Sequence, residues 1–221
     1  MTEGQRFGIN GFTLKWIAII SMLIDHTGAV LFPQYIQLRI VGRLAFPIFC
    51  FLLAEGAAHT GNIRRYETRL LVFACLSEVP FDLVFWGGLT LEHQNVFFTL
   101  FLGVLVIEQF QGHKEKWYGI TAFLLACLLA EYMGTDYGAK GVLFILCFYL
   151  LGQYMVVKHA VFASANYLLA KGGVQVYAGL AVLPMLLYNG RRGPRMKYFF
   201  YIFYPAHLLI LYFIKYFKLV Q

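Results

Sequence analysis

The chain has 221 residues, of which 60% are hydrophobic and 13% charged, with a net charge of +7 and a mean hydropathy of +0.67. A soluble domain is nearer half apolar and a quarter charged, so this composition argues against one and predicts an all-α polytopic membrane protein, a single integral-membrane domain over residues 1–221. The positive charge gathers in the joins between apolar runs, which reads as membrane topology and not as nucleic-acid binding.

The first apolar run is Leu14–Phe32, with Asp25 and His26 in its middle. It keeps its polar residues and no small-residue cleavage site follows it, so no signal peptide is expected. The second run, Val41–Ala58, carries Arg43 near its start and Glu55 and His59 one turn apart at its end. A basic join with Arg64 and Arg65 leads into Arg69–Trp86, where Glu78 and Asp82 share a helix face and Pro80 between them predicts a kink. His93, Gln94 and Asn95 precede Val96–Phe110; Asn95 suits a helix N-cap, and the stretch also suits an acceptor-side gate. Tyr118–Met133 and Val142–Val157 follow. His159–Ala170 is a weaker run, short for a crossing, and is expected to be tilted, broken or re-entrant. Val174–Tyr188 and Tyr198–Phe217 complete the set, the last with Pro205 just before His207. Cys50, Cys75, Cys127 and Cys147 lie within apolar runs, lack metal-ligand spacing and read as packing residues.

Charge settles the expected count. With the N-terminus in the cytoplasm, the joins with Arg64, Arg65 and Arg69 and with Lys114 and Lys116 fall inside, and the join after Trp86, free of Lys and Arg, falls outside. The later join with Arg191, Arg192, Arg195 and Lys197 falls inside only if His159–Ala170 also crosses. About nine transmembrane helices are therefore expected, the seventh short or broken, with eight as the alternative; Lys215 and Lys218 then lie outside.

Helix rise converts position into depth. At about 1.5 Å per residue, His26 lies roughly 16 Å beyond Lys15, Glu78 and Asp82 roughly 14 and 20 Å beyond Arg69, and His207 roughly 15 Å beyond Lys197. Asp25, His26, Glu78, Asp82 and His207 thus share one band near the middle of a bilayer. Ionisable groups are expensive there, so a catalytic cavity or an ion path is expected. Asp25 and His26 are consecutive and point about 100° apart, so they serve different neighbours. His26 reads as a base, with Glu78 or Asp82 as the carboxylate that orients it, and Asp25 as a packing or supporting residue. Arg43 either snorkels or holds an anionic or carbonyl group of an acceptor. Tyr188-Asn189-Gly190-Arg191-Arg192-Gly193 is a basic, glycine-rich turn suited to phosphate. A proton-coupled small-molecule transporter is the competing class, and a non-catalytic scaffold leaves the buried charges unexplained.

The runs LKWIAIISMLIDHTGAVLF, RIVGRLAFPIFCFLLAEGAAHTGNIRRYETRLL, SEVPFDL, HQNVFFTL, YNGRRG and KYFFYIFYPAHLLILYFIKY resemble, in order, the TraX family of F-pilin acetylases. That family is related to transmembrane acyltransferases that take acyl groups from cytoplasmic acyl-CoA. The resemblance implies a donor, acetyl-CoA, and an acceptor that is a pilin-like protein, a glycan or a small molecule. In the wider group a basic residue precedes the first-helix His at a fixed spacing, matched here by Lys15 and His26 with Trp16 to Asp25 between. It also has a basic cluster after the second helix, matched in place by Arg64, Arg65 and Arg69. The expected site is then His26 as base, Asp82 or Glu78 as its orienter and His207 as oxyanion donor or second acid/base. Lys15, Arg64, Arg65, Arg69, Arg191 and Arg192 hold the donor phosphates, and Arg43, His93, Gln94 and Asn95 lie on the acceptor's path. No metal is expected. The expected location is the bacterial inner membrane, among its lipids, with the N-terminus cytoplasmic.

Overall fold

The computed structural model describes residues 8–170, 172–194 and 196–217, so Arg195 and Lys218 of the basic segments lie outside the described residues. The described chain is all-α. Helix α1 (Gly11–Val30) starts where the Asn10 side chain accepts from Thr13 N at 3.0 Å. Helices α2 (Ile36–Gly42) and α3 (Ala45–Ala58) form one rod interrupted at Arg43 and Leu44. Asn62 caps α4 (Ile63–Phe85), which runs through Pro80 without a break in the helix. Asn95 caps α5 (Val96–Gly112), and α6 (Lys116–Tyr132) and α7 (Gly138–Leu150) follow. Helix α8 (Met155–Leu169) leads to a 3-10 helix, Val174–Ala181, that continues into α9 (Val182–Leu186), and α10 (Lys197–Tyr216) closes the chain.

Backbone contacts fix which ends meet. Ile9 N donates to Leu187 O at 2.8 Å, Gly11 N to Arg191 O at 2.8 Å and Asn189 N to Ile9 O at 2.9 Å, so the start of α1 and the join before α10 share one end. At the opposite end Gln94 N donates to Gly134 O at 3.2 Å and Lys215 Nζ to Val84 O at 3.3 Å. Counting each interrupted rod once, the described residues make nine helical rods.

Two expectations about the later runs change. Val142–Val157 is not one span: α7 stops at Leu150, and a turn through Gly152 starts α8 at Met155. The weak run His159–Ala170 is therefore the body of a 15-residue helix, about 22 Å long. The irregular rod is the eighth, where Gly172 and Gly173 take φ of +83° and +69°, a region other residues rarely enter, and the chain restarts as 3-10. Two helices among the described residues, Ile36–Ala58 and Tyr198–Tyr216, are long and apolar enough to cross a membrane.

Helix α3 is the central rod, touching α1, α5, α7 and the 3-10 helix. Its Phe51 is fully buried among Phe148, His159 and Tyr188. The α1–α2 hairpin closes tightly at glycine: a methyl group on Gly42 would overlap Asp25, and one on Gly28 would overlap Leu38. That close approach brings the charged face of α2 onto α1.

Candidate functional site

Helices α1 and α10 meet so that His26 Nδ1 lies 2.7 Å from His207 Nε2, with the rings tilted by only 4°. His207 Nδ1 lies 2.8 Å from the Phe203 carbonyl oxygen, which can only accept. The proton of neutral His207 is thus on Nδ1, its Nε2 holds a lone pair, and His26 Nδ1 donates to it. This bond network assigns the tautomers and leaves a lone pair on His26 Nε2. Phe85 and Tyr204 pack on the His26 ring, with centroids 5.5 and 6.1 Å away. A histidine held by its Nδ1–H with Nε2 open has the arrangement a general base needs.

The partner differs from the expected one. Glu78 and Asp82 stand one turn apart on α4, yet both turn to the join that follows it. Glu78 accepts from the Asn95 side chain, and Asp82 Oδ2 accepts from Thr90 N at 3.0 Å. Asn95 is fully buried, caps Phe97 N at 3.0 Å and donates to Ala74 O at 2.8 Å. Gln94 donates to Leu91 O at 3.0 Å, and His93 stacks on Trp86 at 4.2 Å. His93, Gln94 and Asn95 therefore act here as a cap and a clasp.

Asp25 turns toward α2, away from the face that carries His26. Its Oδ2 takes Arg39 Nη1 at 2.9 Å and also Arg43 Nη2. Arg43 Nη1 lies 3.4 Å from both Tyr137 OH and Gln175 Oε1. Arg43 is thus a member of a buried ion cluster and does not snorkel. Arg39, not among the expected site residues, stands at i to Arg43 at i+4 on one helix face, a spacing that signals a shared anion.

A cleft of about 460 Å³ opens at the N-terminal end between α1, α3, α4, α5 and α10. Lys15, Arg69 and Arg192 line it beside apolar and aromatic walls, and Met22 and Tyr204 line it farther along the bundle. Tyr204 also contacts both histidine rings, so it stands between cleft and pair. From Gly11 to Met22 the cleft follows about 16 Å of α1. The other expected donor residues lie outside its lining. Arg64 is exposed and reaches Glu108 at 3.4 Å, and Arg65 and Arg191 are exposed. Three of the six basic residues thus converge: one from α1, one from α4 and one from the glycine-rich turn.

A second pocket, about 370 Å³, opens at the opposite end. Arg43, Glu131, Asp136, Lys140 and Gln175 line it. Glu131, Asp136 and Lys140 are exposed at its rim.

The fold and the paired histidines define an all-α protein with a base-like group between its first and last helices and a cation-lined cleft leading toward it. Comparison with known proteins places it further. The profile of the family described as TraX protein matches residues 10–215, and the chain belongs to that family. It is 32% identical over 241 residues to a probable fimbrial assembly protein FimC, serogroup H1, of Dichelobacter nodosus, covering 94% of this chain and 96% of that one. It is 25% identical over 214 residues to Protein TraX of Escherichia coli, covering 90% of this chain and 84% of the relative. No solved structure matches the chain.

Proposed function

We propose that the chain is an integral-membrane acyltransferase that moves an acetyl group from acetyl-CoA to an amine or hydroxyl acceptor, with His26 as general base. The observation that carries this reading is the cleft. Three cations and Glu55 line it among apolar and aromatic residues, and its lining includes Tyr204, in ring contact with the histidine pair. Lys15, Arg69 and Arg192 suit the phosphates of the donor, and the walls suit its uncharged arm. In the transfer, His26 Nε2 takes the acceptor's proton as the acceptor atom bonds to the thioester carbonyl carbon. The carbon–sulfur bond breaks, and the departing thiolate recovers a proton. His207 holds the His26 ring through Nδ1 and is a positioning residue in this scheme. The relative named for fimbrial assembly favours a pilin-like protein as acceptor.

The surface supports the membrane setting. Helix α6 buries Gly119, Ala126 and Ala130 and exposes Ile120, Leu124, Leu125 and Leu128, the reverse of a helix on a soluble protein. Arginines at the end where α1 starts favour placing that end in the cytoplasm, in a bacterial inner membrane. The test is transfer of labelled acetyl from acetyl-CoA in membranes. His26→Ala should lower the rate by about 10²–10⁴-fold while the protein still inserts; full activity in that variant sinks the mechanism. Absence of acetyl-CoA binding, together with solute uptake into proteoliposomes, would instead favour the transporter.

A further inference from the structure

The proposed transfer makes no use of the pocket at the opposite end. Its volume, about 370 Å³, lies within the span of small-ligand sites, about 300–1,000 Å³. Both signs of charge line it: Arg43 and Lys140 against Glu131 and Asp136. These groups are only partly engaged. Arg43 Nη1 makes two long contacts, 3.4 Å each, that a charged acceptor would displace. Glu131 gives Oε1 to Ala139 N at 2.8 Å and keeps its other oxygen. Neither Lys140 nor Asp136 has an ion-pair partner among the described residues. A ligand with one charge would meet one pair and be repelled by the other, whereas a ligand with both charges answers both.

We propose that this pocket binds a small zwitterion, an ammonium joined by a short linker to a phosphate or carboxylate, with Arg43 and Lys140 on the anion and Glu131 and Asp136 on the ammonium. This site stands independently of the transfer chemistry. The same chemistry can arrive as a soluble zwitterion or as the head group of phosphatidylethanolamine. For the lipid there is surface close by in the chain: Leu128, Tyr132 and Leu168, neighbours of lining residues, are exposed.

The test uses the full chain purified in a neutral detergent, titrated calorimetrically with O-phosphoethanolamine, ethanolamine and methyl phosphate. O-Phosphoethanolamine should saturate one site, and the two fragments should bind at least about tenfold more weakly. Lys140→Ala and Asp136→Asn should each weaken the zwitterion by about tenfold with an unchanged unfolding temperature. Mass spectrometry of the intact protein separates the sources. Phosphatidylethanolamine retained by the wild type and lost from Lys140→Ala identifies the lipid head group; saturable soluble binding without retained lipid identifies a free zwitterion. The proposal is overturned if neither ligand is held, if ethanolamine alone binds as tightly as the zwitterion, or if both variants bind like the wild type.

Discussion

In the cleft at the N-terminal end, Lys15, Arg69 and Arg192 have no carboxylate within ion-pair distance among the described residues, whereas at the opposite end Arg39 and Arg43 both close on Asp25. Cations that no carboxylate holds in contact repel one another and gain from an arriving anion. Cations already shared by a buried carboxylate hold helices together. One helix, α1, serves both regions: Lys15 near its start faces the cleft, and Asp25 near its end gathers α2.

Removing Asp25 breaks the comparison most severely. Asp25→Ala leaves Arg39 and Arg43 facing each other with no counter-charge and should cost about 3–5 kcal/mol, read as a loss of folded yield and a lower unfolding temperature in detergent. An unchanged unfolding temperature would mean that this cluster is not structural. The cleft is expected to behave in the opposite way. Lys15→Ala combined with Arg192→Ala should weaken acetyl-CoA binding by about 10²-fold, with stability kept or improved because like charges are removed. Arg64→Ala marks the boundary between the two behaviours. Its side chain is 88% exposed and turned to Glu108, so donor affinity should hold and stability should shift by less than about 1 kcal/mol.

A pH-dependent effect concerns a carboxyl at the same end that turns away from the cleft. Burial, then the neighbouring Glu108, pushes Glu67 from its ordinary 4.5 up to about 7. The folded chain therefore keeps a proton that the unfolded chain releases. The stability this confers is complete below about 4.5 and is lost as pH rises through about 7. Unfolding temperatures should fall by a few degrees across that window, and Glu67→Gln should flatten the slope; a slope of equal size in the variant would assign it to another group.

How much of this was legible depended on which coordinate the sequence encodes. Spacing and loop charge point to about nine helical rods, the number the described residues make when each interrupted rod is counted once. Rise says nothing about which way a face turns between non-adjacent helices. Glu78 and Asp82 lie one turn apart on α4, and both face the join at Thr90–Asn95. The partner of His26 is 181 residues away, and no local pattern links the two. The separation of Asp25 from His26 was readable because consecutive residues on a helix diverge by a fixed angle. The second pocket escaped notice because joins supply much of it, where neither periodicity nor depth applies. Tyr204 escaped because one tyrosine in an aromatic helix carries no signal of its own.

The bond between His26 and His207 ties the first helix to the last. A ribosome delivers His207 181 residues after His26. Until α10 is in place, the His26 ring has no acceptor for its Nδ1–H and no fixed orientation. A chain cut short before α10 therefore carries Lys15, Arg69 and the first histidine, yet lacks one wall of the cleft and the group that aims the ring. The paired histidines can form only once α10 has been made.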